Sequence, residues 1–258
     1  MIRLDVPEVR LPPLAGGGEE LWRLLLDLAE RLRVPWTLVG GQMVLLHGLQ
    51  RDRIPPRVSA DLDAVIDIRT DPRALHTTDA VFRELGLEAA GAPSPDGLMH
   101  RYVRPGTPLA VDVAATASSV DVLIPEGLSP STDTTMSLGG RAFAAPGATQ
   151  ALSRTEYLPI CYEDRRAWVP RPNLLAAIVV KAVAAVEDSI NPGRHVQDLA
   201  FLCTLVEDLF TLRDDLTPKD RKRLRHVGGR LTPDSPVWDI FGTAAADGRR
   251  VWRAITST

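Results

Sequence analysis

Two carboxylates, Asp61 and Asp63, stand two residues apart in the segment Asp-Leu-Asp-Ala-Val-Ile-Asp-Ile that begins at Asp61. On a β-strand alternate residues share a face, so both carboxylates point one way and Leu62 the other. Side-by-side anions repel unless a cation lies between them, and a hard divalent ion with oxygen ligands is the usual remedy. Mg²⁺ takes one or two protein carboxylates and completes its shell with water and substrate phosphates, which suits phosphoryl or nucleotidyl transfer. Upstream, Gly40-Gly41 follows an apolar strand pattern and precedes a helical one. Backbone amides at such a turn, helped by a helix N-terminus, can cradle a phosphate. Ser59, just before the carboxylates, can add a hydroxyl. Two further acids on predicted strands are candidates to join them, Asp112 in Ala-Val-Asp-Val-Ala and Asp121 in Ser-Val-Asp-Val-Leu-Ile-Pro.

A second group of chemical residues lies further on. The stretch from Asn173 to Glu187 is apolar on nearly every helical face, which implies a buried helix, yet it carries Lys181. A buried ammonium must snorkel out or find an anion. The next helical pattern supplies Arg194, His195 and Asp198, with Arg194 and Asp198 on one face. One reading joins the two helices through a Lys181–Asp198 ion pair. The other has Lys181 gripping triphosphate oxygens while Asp198 orients it. The run from Lys219 to His226 is a basic helix face, either solvated or able to hold an RNA backbone. His47 reads as a packing residue, and His100-Arg101 either as a polar pair at a strand end or as side chains able to reach the cleft.

The elements that must position these residues follow from periodicity. Residues 1–17 are an irregular, Pro/Gly-rich lead-in. Leu21, Leu24, Leu25, Leu28 and Leu32 predict an amphipathic helix over 19–33, which Pro35 stops. A strand is expected at 36–39, a helix at 42–49, a Pro-broken loop at 50–58 and a strand at 61–68. Thr70-Asp71-Pro72 opens a helix that runs to about Leu85. Strands are expected at 100–103, 109–114, 120–124, 157–162 and 167–169, around an irregular Gly/Pro/Ser/Thr-rich stretch at 125–148. Helical patterns then occupy 173–187, 195–209, 217–227 and 235–256. The order is mixed α/β first and all-α after.

Composition narrows the function classes. The 258 residues hold 30 basic side chains, only three of them Lys (Lys181, Lys219 and Lys222), against 33 acidic ones. A net charge of −3 argues against a globally basic nucleic-acid coat but permits a local basic groove. Cys161 and Cys203 show neither metal-ligand spacing nor a disulfide framework. The lead-in has no apolar signal core. The longest apolar run, Leu174–Val186, is broken by Lys181 and falls short of the roughly 18 residues of a membrane span. The expectation is a cytoplasmic protein without membrane association.

The stretch WTLVGGQMVLLHGLQ…RVSADLDAVIDI resembles the core of the DNA polymerase β-type nucleotidyltransferase superfamily. It is most similar to AbiEii/MenT-like toxins of bacterial toxin–antitoxin systems, with their pattern GG…LHG…R-x-[ST]-x-D-[LI]-D. Arg57, Ser59, Asp61 and Asp63 match that motif position by position. The resemblance implies that Asp61 and Asp63 bind Mg²⁺ and that Gly40, Gly41, Arg57 and Ser59 hold the nucleoside triphosphate. It favours Asp121 over Asp112, because HRYV followed by VDVLIPEGL resembles the family's strand pair; a second VDV before it departs from the pattern. KAVAAVEDSINPGRHVQDLAFL resembles the family's later Lys and R…D segment, which implies that Lys181 reaches the triphosphate with Asp198 in support.

The expected fold is therefore α/β (α+β), a nucleotidyltransferase core with a mixed sheet over 1–170 and a helical C-terminal region over 171–258. The expected activity is Mg²⁺-dependent transfer of a nucleotide from an NTP to an acceptor hydroxyl. Asp61, Asp63 and Asp121 would hold metal, with Asp121 as general base. Family resemblance implies a tRNA 3′ end as acceptor and a cognate antitoxin as partner. Two alternatives stand beside it, a nucleotidyltransferase acting on a small molecule such as an antibiotic and a catalytically silent nucleotide-binding domain.

Overall fold

The computed structural model describes residues 2–13, 19–104, 119–136 and 139–257. Short strands β1 (Ile2–Arg3) and β2 (Val9–Arg10) precede helix α1 (Glu19–Arg31). Then come β3 (Trp36–Val39), α2 (Gly40–Leu49), β4 (Asp61–Ile66), α3 (Ala74–Glu84), β5 (Glu88–Ala89), β6 (Arg101–Val103), β7 (Ser119–Pro125), β8 (Phe143–Ala145) and α4 (Ala148–Ser153). A hairpin of β9 (Thr155–Tyr162) and β10 (Arg165–Pro172) leads into α5 (Leu174–Glu187), α6 (Pro192–Cys203), α7 (Leu209–Asp214), α8 (Pro218–His226) and α9 (Ala245–Thr256). The architecture is mixed α/β, as the periodicity predicts. The expected strand at 109–114, with Asp112, lies outside the described residues.

The central sheet has six strands in the order β3-β4-β7-β6-β5, with β8 also paired to β7. β3 runs antiparallel to β4, β4 parallel to β7, and β6 antiparallel to β7. Leu62, Ala64 and Ile66 point into the main core, which also takes Leu24 and Leu28 of α1 and Phe82 of α3. The other face divides. At one end Val39 and Val65 pack on Ala148 and Ala151 of α4, with Leu123 and Val180 around them. At the other end the same row of positions carries Asp61 and Asp63. Alternation along β4 thus builds a core on one side and exposes an ionic edge on the other.

A smaller sheet places β1 and β2 parallel to β9, and β9 antiparallel to β10. Arg165 of this hairpin reaches back to Asp27 and Glu30 on the outer side of α1 at 2.8 and 2.9 Å. Asn173 caps α5, its side-chain oxygen accepting from the Ala176 amide at 2.9 Å. α5 packs against α2, α4, α6 and α8, which accounts for its lack of a polar face. One hydrophobic core runs from Val9 to Ile255. Among the described residues no helix is long and apolar enough to cross a membrane.

Several boundaries differ from the expected ones for identifiable reasons. α2 starts at Gly40 and not at residue 42, so the two glycines form its first turn. The helix expected over 195–209 spans Pro192–Cys203, and a separate α7 follows, because Asp208 caps a new start by accepting from the amides of Phe210 and Thr211. The pattern over 235–256 is broken at Gly242, whose φ of 54° separates a 3₁₀ segment (Pro236–Ala244) from α9. β8 and α4 arise around the stretch read as irregular, where the strand is three residues long and Gly147, at φ 89°, turns the chain into α4.

Phe82 is fully buried and meets Tyr102 of β6 edge-on, with ring centroids 4.9 Å apart. This contact fixes α3 beneath β6. Phe82→Ala is expected to cost about 3–4 kcal/mol of stability through the cavity it leaves. Urea denaturation with an unchanged m-value checks this, and a loss under 1 kcal/mol would contradict the packing role.

Candidate active site

The register of β4 and β7 builds the carboxylate cluster. Asp63 lies directly opposite Asp121 across parallel strands, and Asp61 opposite Ser119. One ligand oxygen from each of Asp61, Asp63 and Asp121 falls within 4.8 Å of the others. Burial, then the charges of Asp61 and Asp121, push the Asp63 carboxyl up to about 7, against the opposing pull of Lys181 and Arg194. Carboxylates compressed in this way fit a divalent cation, which would relieve the repulsion. An all-oxygen donor set without Cys or His suits Mg²⁺ or Mn²⁺ rather than zinc.

The glycine pair is there for closeness. Gly40 has φ 70°, and a Cβ on it would lie 1.7 Å from Asp63 Oδ2. A Cβ on Gly41 would meet the Ser59 Cβ at 2.5 Å. Only glycine lets the first turn of α2 pass under the cluster. The early amides of a helix lack intrahelical partners, so this turn offers donors beside the cation site. Gln42 Nε2 donates to the Ser59 carbonyl and pins the loop before β4. The Ser59 hydroxyl donates to Asp61 Oδ1, so it already orients one of the carboxylates.

Behind the cluster stands a buried ionic group. Lys181 Nζ lies 2.8 Å and Arg57 Nη2 2.7 Å from the same oxygen, Asp198 Oδ2. Lys181 and Asp198 are 2% and 1% exposed and the Arg57 side chain 29%, so two cations, one buried and one from the surface, meet one buried anion. Lys181 still acts on Asp63, which places its charge next to the carboxylates. Arg194 acts on Asp63 too, while its side chain pairs with Asp188 at 3.0 Å. Asp188 caps the turn into α6, and the amides of Asn191 and Ile190 with Arg194 hold its carboxyl well below the usual range. Burial, then Lys181 and Arg194, depress His195 to about 4, so its imidazole is neutral at pH 7.

Other residues fall elsewhere. His47 is buried, with Nε2 3.0 Å from the Pro172 carbonyl, and burial pushes its pKa well down. On α8, Lys219, Lys222 and Arg225 are exposed, while Arg223 is tied to Glu126 at 2.8 Å. Arg101 is the residue that sequence reasoning undervalued. It is no mere strand-end polar group, for its guanidinium grips both oxygens of Asp121, Nε to Oδ1 at 2.8 Å and Nη2 to Oδ2 at 2.7 Å. Its one signal in the sequence is a position in the short strand before the VDV of Asp121.

Asp63 ionises near pH 7 in the folded chain and near its ordinary 3.8 when unfolded. Ionisation therefore opposes folding, and stability is lost as pH climbs from about 4 to about 7. In metal-free buffer, Asp63→Asn should match the wild type near pH 4 and exceed it above pH 7 by about 2 kcal/mol, half the full linkage value because Asp63 is only partly buried and solvent softens the penalty. Thermal or urea melts across that range check this; a gap that does not widen with pH would contradict it.

No protein-family model matches the chain, and no curated protein matches it. Among solved structures, an antigenic nucleotidyltransferase-like protein from Paracoccidioides brasiliensis is similar at 13% identity and a TM-score of 0.48, over 92% of this chain and 95% of that one. JHP933 from Helicobacter pylori is similar at 14% identity and a TM-score of 0.39, over 93% and 90%.

Proposed function

We propose that this chain is a nucleotidyltransferase that moves a nucleoside monophosphate from an NTP to an acceptor hydroxyl. The observation that carries the reading is the convergence of Asp61, Asp63 and Asp121 over the first turn of α2. The Gly40-Gly41 turn and Ser59 hold phosphate oxygens from one side. Lys181 contributes positive charge from the interior and Arg57 from the surface, both fixed by Asp198. The acceptor oxygen bonds to the α-phosphorus while the bond to the bridging oxygen breaks and pyrophosphate leaves. The acceptor proton passes to Asp121. A Mg²⁺ ion on the three carboxylates would supply neutralisation of the phosphate charge and polarise the acceptor hydroxyl. In this division of labour residues 1–170 bring the carboxylates, and residues 171–258 bring Lys181 and Asp198.

The resemblance of the GG…LHG…R-x-S-x-D-L-D stretch to AbiEii/MenT-like toxins supports a tRNA 3′ end as the acceptor, in the cytoplasm, with an antitoxin as partner. An overall charge of −3 confines RNA contact to the cleft and to the exposed cations of α8. The Arg101–Asp121 pair favours a second reading, a nucleotide-binding domain without transfer, since the base is engaged at both oxygens.

Incubation of the protein with Mg²⁺, each labelled NTP in turn and total tRNA separates these readings, with an aminoglycoside panel for a small acceptor. Incorporation into tRNA is expected, and Asp61→Ala should lower it at least about a thousandfold at unchanged fold by circular dichroism. Retained incorporation in that variant would overturn the assignment. Mg²⁺-dependent NTP binding without transfer to any acceptor would establish the silent domain instead.

A further inference from the structure

The bidentate pair between Arg101 and Asp121 joins two residues of unequal freedom. Antiparallel pairing of β6 and β7 sets them directly opposite each other. Asp121 is 7% exposed and held mid-strand between β4 and β6. The Arg101 side chain is 48% exposed at the rim of the cluster. Its backbone is anchored on both sides, for His100 lies tilted against Phe143 with ring centroids 5.7 Å apart and Tyr102 is buried against Phe82. Any motion of Arg101 is therefore a side-chain motion. The charges of Asp61 and Asp63 act on it as well, so one guanidinium serves as counter-cation to all three carboxylates. Its fork of N–H groups matches a phosphate as well as a carboxylate.

We propose that Arg101 exchanges partners when substrate binds, leaving Asp121 as the carboxylates take up a divalent cation and turning the same two N–H groups onto a phosphate of the incoming nucleotide. The proposal rests on the nucleotidyl-transfer reading above. Two hydrogen bonds are traded for two, and no covalent bond changes. Arg101 competes with a divalent cation that arrives alone, and it cooperates with one that arrives with a nucleotide. The exchange also frees Asp121 to accept the acceptor proton only when a phosphate is present to hold Arg101.

Arg101→Gln separates the two halves of this exchange. Calorimetry with Mn²⁺ alone should show binding about tenfold tighter than in the wild type, since the competitor is gone. Titration of each NTP in Ca²⁺ should show nucleotide binding about tenfold weaker, since the phosphate contact is gone. A loss of local structure would weaken both, so the opposite signs are the signature. Mn²⁺ binding that is unchanged or weaker, or nucleotide binding that is unchanged or tighter, would overturn the role of Arg101. Should Arg101→Gln fail to fold, Arg101→Lys, which keeps the charge without the fork, must still shift the two affinities in opposite directions for the proposal to stand. A wild-type protein that binds neither Mn²⁺ nor any NTP would overturn the transfer reading itself, which is distinguishable from a wild type that binds both and a variant that behaves identically.

Discussion

Mutual repulsion among Asp61, Asp63 and Asp121 is the constraint around which the molecule is arranged. Parallel pairing of β4 with β7 fixes the distance between the carboxylates, and no side-chain rotation on a paired strand can move them far apart. Charge held at such spacing must be balanced locally. Arg101 does this from the neighbouring strand, Lys181 and Arg194 from the helices behind, and Ser59 by a hydrogen bond. The raised proton affinity of Asp63 comes first from burial and then from the repulsion that these groups leave unbalanced.

Rigidity comes from the opposite face of the same sheet. Leu62, Ala64 and Ile66 alternate with the acids and lie in a core shared with α1 and α3, so the strand cannot shift register without burying charge. The small cluster of Val39, Val65, Ala148 and Ala151 closes the apolar end of the reactive face and leaves only its acidic end open. Gly40 and Gly41 let the first turn of α2 lie against the cluster by removing side chains that would collide with Asp63 and Ser59.

Much of this was legible in the sequence because it is local. Alternation marks β4 and the pointing of Asp61 and Asp63, and the apolar character of 174–187 makes Lys181 conspicuous. The mixed α/β order follows from the same periodicities. What escaped is what depends on pairing between distant segments. The resemblance pairs HRYV with VDVLIP as strands, but nothing near Arg101 announces the register that sets it opposite Asp121. The Lys181–Asp198 pair is one of the readings the two helical patterns offer, but no spacing rule encodes the arrival of Arg57, from a loop, on the same oxygen. Short elements were lost for a simpler reason. Strands of two or three residues, such as β1, β2 and β8, are too brief to show a period, and the Asp208 cap that divides α6 from α7 is hidden inside a polar break.

Two cations on a single carboxylate oxygen leave one positive charge without a partner in that ion group, where Lys181 and Asp198 are buried and Arg57 reaches in from the surface. Mobile ions screen exposed charges over roughly 10 Å at ordinary ionic strength but act far less on buried ones. The field of buried Lys181 is thus screened less by concentrated salt than the field of the exposed lysines of α8. Ionic strength therefore acts unequally on the two sets of cations, dimming the outer one first.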